Sequence, residues 1–266
     1  MTSANAASCS MRATASSRTR PDGATSPSPT RASSVNTRPA GGAGTSSVAS
    51  TARNLEPFYA QDVGATVEEV VVIAGRDLVI ARPADAEGLL DEHAFEHEEF
   101  LPYWAELWPS ALALARRIGV LALHGARVLE LGCGLGLPSI AAALAGGRVL
   151  ATDWSPDAIA FARDNAEANG ARVETAVVSW ADPGELAERG PWDLVMGSDL
   201  LYERRNVPLV LDVLERLVAP GARAVIADPR RAAAAGFVER AARSWQLRTT
   251  ADTGPPRVDL HELRRG

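Results

Sequence analysis

The stretch Val128-Leu129-Glu130-Leu131-Gly132-Cys133-Gly134-Leu135-Gly136-Leu137-Pro138, followed by an acid at Asp153 after a second apolar run, decides the fold. Apolar residues at 128, 129 and 131 suit a buried strand. The three glycines allow a tight turn with close backbone approach, and 137–144 continues as a helix whose N-terminal amides face that turn. Together they read as a nucleotide-cofactor site. A dinucleotide fingerprint would be G-x-G-x-x-G, with a pyrophosphate on the helix N-terminus. Here the pattern is E-x-G-x-G-x-G, with an acid already in the strand. Asp153, at the end of the second strand, can accept two hydrogen bonds from a vicinal diol, and charge-assisted bonds of this kind are the stronger class. The alternative is a glycine-rich turn in some other α/β protein.

Beyond the turn, strand-like and helix-like segments alternate, which predicts a parallel sheet covered on both faces. Strands are expected at 149–152, 172–179, 193–197 and 222–227. Helices are expected at 158–169, 184–189, 204–218 and 232–244. The second helix of the core, 158–169, carries an N-cap signal in Ser155-Pro156-Asp157 and a stop at Gly170. Segments 246–251 and 257–263 make a closing strand pair around Gly254-Pro255-Pro256. Upstream, 67–72 and 77–81 flank Ala74-Gly75-Arg76 as an accessory β-hairpin. The organisation is then a tail over 1–53, an accessory hairpin and helix over 54–100, and the α/β domain over 101–266.

The tail is rich in Ala, Ser, Thr, Gly, Pro and Arg, has six arginines against the single acid Asp22, and lacks periodicity; it reads as disordered. Its Arg- and Ser-rich, acid-poor composition also suits an organellar transit peptide, but it lacks an amphipathic stripe. From Asn54 onward the chain holds 21 arginines and 32 acids, a formal charge of −11 against −6 for the whole. Such a domain is a poor polyanion binder, which argues against nucleic acid as a partner and suits a cationic substrate. No lysine occurs anywhere, so all 27 basic residues are arginine and the protein cannot modify lysines of its own. The two cysteines, Cys9 and Cys133, make no disulfide framework. No secretory or membrane-spanning segment is evident. A cytoplasmic protein is expected, or one of the mitochondrial matrix if the tail is a transit peptide.

Leu101-Pro102-Tyr103-Trp104-Ala105-Glu106-Leu107-Trp108-Pro109-Ser110 packs two tryptophans and a tyrosine into a chain with only 5% aromatic residues. One reading is a hydrophobic lid that packs a helix onto the sheet. The other is a set of aromatic faces for a sulfonium cation, worth roughly 0.5–2 kcal/mol per contact.

The E-x-G-x-G-x-G turn resembles motif I of the class I S-adenosylmethionine-dependent methyltransferases. With P-Y-W-A-E-L-W-P before the core, S-D-L-L-Y after the fourth strand and A-D-P-R after the fifth, the chain is similar over about residues 95–265 to the seven-strand protein-lysine methyltransferases of family 16. The resemblance implies a Rossmann-like seven-stranded sheet, mostly parallel, with a C-terminal antiparallel hairpin. It implies S-adenosylmethionine as cofactor, held by Trp108, Glu130, Gly132, Cys133, Gly134, Asp153, Trp180 and Ser198. Asp153 would take the ribose hydroxyls and Trp180 would stack on adenine. The family's D-x-x-Y signature falls on Asp199-Leu200-Leu201-Tyr202, which makes Asp199 and Tyr202 the expected catalytic pair. The implied partner is a protein with a target lysine. Within the family, members acting on the beta subunit of electron-transfer flavoprotein resemble the chain most.

A carboxylate at the end of the fourth strand lies where open α/β sheets bind ligands, and Tyr202 returns to the same mouth if the chain turns into a helix there. Asp199 would orient the amine, and Tyr202 would wall the path of the methyl group. Asp199 also suits a helix N-cap. A free lysine has a pKa of about 10.4, and a negative neighbour favours its ammonium form; deprotonation on entry to the pocket and deprotonation through water both fit. His93 and His97 share a helical face but lack the H-E-x-x-H order, so no metal is expected. Glu96, Glu98 and Glu99 suit a solvated face. Cys133 lacks a histidine base and is not a nucleophile. Arg230 contacts an acidic target or caps the sheet. The reading is therefore a monomeric methyltransferase of protein lysine; a small-molecule N-methyltransferase and a non-catalytic binding module on the same fold are the alternatives.

Overall fold

Alternation at the centre of the chain places successive residues on opposite sides of one sheet. Val128, Leu194, Met196 and Val225 pack on one face with Ala113, Leu114 and Ile118. Leu129, Leu131, Val195 and Ile226 pack on the other with Val210, Val213, Leu214 and Phe237. Strands buried on both faces need a helical layer on each side, and the chain supplies them. The computed structural model describes residues 64–86, Leu89, 102–180 and 182–266. The expected tail, and the helix expected before residue 100, lie outside these residues.

A hairpin, β1 (Thr66–Ile73) and β2 (Arg76–Pro83), comes first. After a short 3-10 turn at Tyr103–Ala105 follow α1 (Pro109–Gly119), β3 (Arg127–Leu131), α2 (Leu137–Leu144), β4 (Arg148–Asp153), α3 (Pro156–Ala168) and β5 (Val173–Val177). The second half holds α4 (Gly184–Glu188), β6 (Trp192–Ser198), α5 (Asn206–Leu217), β7 (Val218–Asp228), α6 (Ala234–Ala241), β8 (Gln246–Ala251) and β9 (Asp259–Arg264). The sheet order is β5-β4-β3-β6-β7-β9-β8. Strands β5 to β7 run parallel, and β9 and β8 are antiparallel. The order reverses between β3 and β6, so a crevice opens at their carboxyl ends. None of the described helices is long and apolar enough to cross a membrane.

Most predicted elements stand where their patterning placed them. Ser155 caps α3, its hydroxyl accepting from the Ala158 N–H (3.3 Å), with Pro156 at the first helical position. One helix was not anticipated. Helix α1 opens with Pro109 and buries Ser110, Ala113, Leu114, Ala115 and Ile118. Ala113, Leu114 and Ile118 recur at helical spacing, so the pattern was present in the sequence behind the aromatic run. The third core strand is shorter than predicted: pairing with β4 ends at Asp153↔Val177, and the chain then leaves the sheet.

The hairpin is sewn to the core by two asparagines. Four helical residues rise about 6 Å and two strand residues about 6.6 Å, so amides one turn apart on a helix match alternate residues of a strand. Asn169 accepts from the Val79 N–H (2.9 Å) and donates to its carbonyl (2.7 Å). Asn165 does the same at Ala81 (2.7 and 3.0 Å), and its amide also donates to the Leu135 carbonyl (3.0 Å) in the glycine turn. Beneath them Ile73, Leu78 and Ile80 are buried with Trp104, Leu135 and Ile140.

Replacing Asn165 by alanine leaves three backbone groups, the Ala81 N–H and carbonyl and the buried Leu135 carbonyl, without this side-chain partner. Denaturant unfolding of Asn165→Ala should show a loss of about 2–4 kcal/mol, with amide-exchange protection at Ala81 falling first. A loss below about 0.5 kcal/mol would mean that the apolar contacts alone hold the hairpin.

Candidate active site

Five loops meet at the carboxyl ends of β3, β4, β5, β6 and β7. Leaving β3, Gly132, Gly134 and Gly136 all have positive φ. Two of them are also required by close approach. A Cβ at Gly136 would lie 2.9 Å from that of Ala162 in α3, and one at Gly134 would lie 3.3 Å from the Trp104 carbonyl oxygen. The turn is thus pressed between α3 and the aromatic segment before α1. The Cys133 N–H donates to the Thr152 carbonyl (2.9 Å), and the Thr152 hydroxyl to the Glu130 carbonyl (2.6 Å).

Asp153 ends β4, and its buried carboxylate accepts from the N–H groups of Gly134 (2.9 Å) and Ser155 (3.1 Å). Burial raises its pKa and these backbone bonds oppose the rise. A carboxylate has about four acceptor positions. Acceptor capacity remains for a ligand in the cleft, which Asp153 lines.

That cleft encloses about 340 Å³ and is lined by Trp108, Gly132, Cys133, Gly134, Asp153 and Trp180 on one side. Ser198, Asp199, Tyr202 and Arg231 line the other. The two tryptophans of the aromatic segment divide the two readings between them. Trp104 is buried against Phe161, ring centroids 5.5 Å apart, and is largely core. Trp108 is part-exposed and its indole N–H donates to the Tyr103 carbonyl (2.7 Å), which aims it at the cleft. Trp180 reaches the cleft because the chain has left β5 by Val178, whose N–H donates to the Asp153 carbonyl (2.8 Å).

At the mouth, Asp199 adopts the left-handed region with φ +57°, a conformation costly for a residue with a Cβ and concentrated at functional sites. Its N–H donates to the Ala227 carbonyl (2.8 Å). The reversal buries Leu200 and Leu201 and returns Tyr202 to the mouth, 37% exposed. A turn, not the helix anticipated, brings Tyr202 back. Helix α5 starts only at Asn206, so Asp199 caps no helix. Burial raises the Tyr202 pKa, a bond with Asn206 opposing it. The ring of Tyr103, itself 47% exposed, stands 6.0 Å from that of Tyr202.

A model of the lysine methyltransferase family matches residues 103–243, more than half of the chain and every loop of this cleft. The chain belongs to the lysine methyltransferase family. It is 37% identical over 135 residues to the electron transfer flavoprotein beta subunit lysine methyltransferase of Xenopus laevis, covering 49% of this chain and 54% of that one. It is 35% identical over 120 residues to the protein N-lysine methyltransferase METTL21A of Danio rerio, covering 42% and 55%. The chain spans about half the length of the curated relatives it matches. In fold it resembles the N-methyltransferase NodS of Bradyrhizobium japonicum in complex with S-adenosylhomocysteine, with a TM-score of 0.51 over 62% of this chain and 91% of that one, at 17% identity.

Lysine methyltransferases use S-adenosylmethionine, and this cleft fits it. Of the described lining residues Arg231 is the only cation, and it is committed to Asp199, so a pyrophosphate would find no counter-charge. Glu106, Asp153, Asp199 and Glu203 give the wall a negative balance suited to a sulfonium and an ammonium. Asp153 offers acceptors for a ribose, and Trp108 and Trp180 offer apolar faces.

Of the expected cofactor residues, Glu130 alone is absent from the described cleft lining. Cys133 lines the cleft, and burial, with Asp153 and Glu130 near it, pushes its thiol well above the usual range, so it is an unreactive thiol. Glu130 does not reach the cleft lining. It is fully buried behind the turn, where one carboxyl oxygen accepts from the Ser139 hydroxyl in α2 and the other, Oε1, lacks a protein partner. Its strand position was legible, but the pleat turns its side chain to the α2 face. Two residues escaped the sequence reading. Tyr103 lay inside the quoted aromatic run without being singled out, and Arg231 was passed over beside Arg230, which pairs instead with Asp259 of β9 (2.9 Å). His93 and His97 lie outside the described residues.

Burial pushes the Glu130 pKa up to about 8, so the folded protein holds a proton there that the unfolded chain releases near 4.5. The stability from this neutral carboxyl is complete below about 4.5 and declines as pH rises towards 8. Glu130→Gln, which cannot ionise, should flatten the fall in melting temperature between pH 5 and 8. Parallel curves for the two proteins would mean that Glu130 is ionised in the fold.

Proposed function

We propose that the protein transfers a methyl group from S-adenosylmethionine to a lysine side chain of a partner protein, with the beta subunit of electron-transfer flavoprotein as the first candidate. The observation that carries this reading is the mouth itself, where Asp199 sits at the end of β6 beside two part-exposed tyrosines, next to the cleft that fits the cofactor. A lysine is the side chain that matches it, with an apolar stem for the aromatic rings and an amine for the carboxylate. The flavoprotein subunit is chosen because two of the relatives, from Xenopus laevis and Danio rerio, bear its name. The acidic domain makes nucleic acid a poor partner. A cytoplasmic monomer completes the reading, in keeping with a buried free thiol at Cys133.

When bound, the cofactor supplies an electrophilic methyl on a sulfonium. The chain supplies position and exclusion of water. Asp153 and the backbone of the glycine turn hold the nucleoside, and Trp108 and Trp180 wall it. Asp199 accepts an N–H from the amine and fixes the direction of its lone pair, while Tyr103 and Tyr202 strip water from the lysine stem. Alignment of two bound reactants is itself worth several orders of magnitude in rate, without a covalent nucleophile.

Methyl-labelled S-adenosylmethionine tests the reading, with purified electron-transfer flavoprotein and a lysate as acceptors. Because the protein contains no lysine, any methyl-lysine comes from a substrate. Label is expected in the flavoprotein beta subunit, reduced at least about 100-fold with Asp199→Ala. Label in a different protein keeps the chemistry and moves the target. Label only in small amines contradicts the protein-lysine assignment.

A further inference from the structure

The Asp199 carboxylate is bound edge-on by a guanidinium. Arg231 Nε donates to Oδ1 (2.8 Å) and Nη2 to Oδ2 (2.9 Å), with 12% of the Asp199 side chain and 38% of that of Arg231 exposed. This fork holds an arginine more firmly than a lone surface contact. The loop carrying it is fixed as well. The Arg231 N–H donates to Asp228 Oδ1 (2.7 Å) at the end of β7, and Arg230, with φ +67°, is turned away to Asp259. We infer that Arg231 is the charge-compensating residue of the acceptor mouth, neutralising Asp199 so that the incoming lysine binds and reacts as a free amine. This rests on the lysine-methyltransferase reading above.

Methyl transfer to nitrogen forms an N–C bond with the amine lone pair and breaks the C–S bond, whose electrons stay on sulfur. The ammonium of a lysine must therefore first release one proton to water. A bare aspartate works against that step, since an opposite charge within hydrogen-bonding range favours the charged form by about one to three pH units. With Arg231 on one edge of Asp199, the pair is close to neutral. Each carboxylate oxygen keeps a second lone pair, enough to accept an N–H from an uncharged amine. Asp199 thereby retains its directional role and loses its preference for ammonium.

The other charged and titratable groups around the mouth do not replace Arg231. Tyr103 and Glu106 face it from the segment before α1, Asp153 from β4, Tyr202 and Glu203 from the turn after β6, and Asp228 from β7. Glu106 has Arg82 at 3.8 Å, Glu203 is paired with Arg205, and Asp153 is held by backbone amides. Asp228 adds negative character beneath the pair; burial, with Asp199 near, pushes it up to about 6. Removal of Arg231 leaves a mouth in which every remaining ionisable lining group is an acid, a tyrosine or the buried thiol of Cys133.

The test is the pH dependence of kcat, which reports groups in the enzyme–substrate complex. It uses the full chain with the acceptor protein found by methyl labelling. In Arg231→Gln the acid limb should move up by about one pH unit or more, so kcat falls about tenfold or more at pH 7.5 and converges on the wild-type value near pH 9.5. Added guanidinium should restore Arg231→Ala at pH 7.5. Melting curves and S-adenosylhomocysteine titration verify that both variants fold and bind. A loss equal at every pH and unresponsive to guanidinium would overturn the inference and leave the methyltransferase reading intact. A wild-type protein that methylates no lysine would overturn that reading and this inference with it.

Discussion

Asp153 closes a loop that the rest of the site leans on. Its carboxylate, buried at the end of β4, accepts backbone N–H groups from Gly134 after β3 and Ser155 before α3. Two neighbouring crossovers are thereby locked at one charge, and the glycine turn can be pressed against Ala162 and Trp104 without a side chain of its own. Because backbone amides do the holding, acceptor capacity is left over on the cleft side. The same carboxylate can serve as strut and as ligand.

Charge is arranged in two tiers around that strut. Below the turn, Glu130 is buried with Ser139 and its pKa is pushed up to about 8, so it is mostly uncharged near neutral pH. Above it, acids dominate the wall, and among the described lining residues a single guanidinium meets Asp199. A cationic cofactor and a cationic side chain are drawn to such a wall over distance. The last step needs an uncharged amine, and there the local balance matters more than the overall charge.

Much of this could be read from residues alone, since periodicity and punctuation report backbone topology. Glycine spacing, Asp153, the Ser155 cap and the alternating strands were enough for the sheet and the cofactor loop. What escaped depended on contacts distant in sequence or on one dihedral angle. The left-handed φ values at Asp199 and Arg230 decide which side chains face the mouth, and no pattern in D-P-R-R distinguishes Arg231 from its neighbour. The asparagine stitch between α3 and β2 joins residues more than 80 apart.

A crystal structure with S-adenosylhomocysteine tests the central claim most directly. The ribose hydroxyls should lie on Asp153, the adenine beside Trp180, and the sulfur should open towards Asp199 and Tyr202. A ligand whose ribose avoids Asp153, or whose sulfur points away from that mouth, would contradict the account.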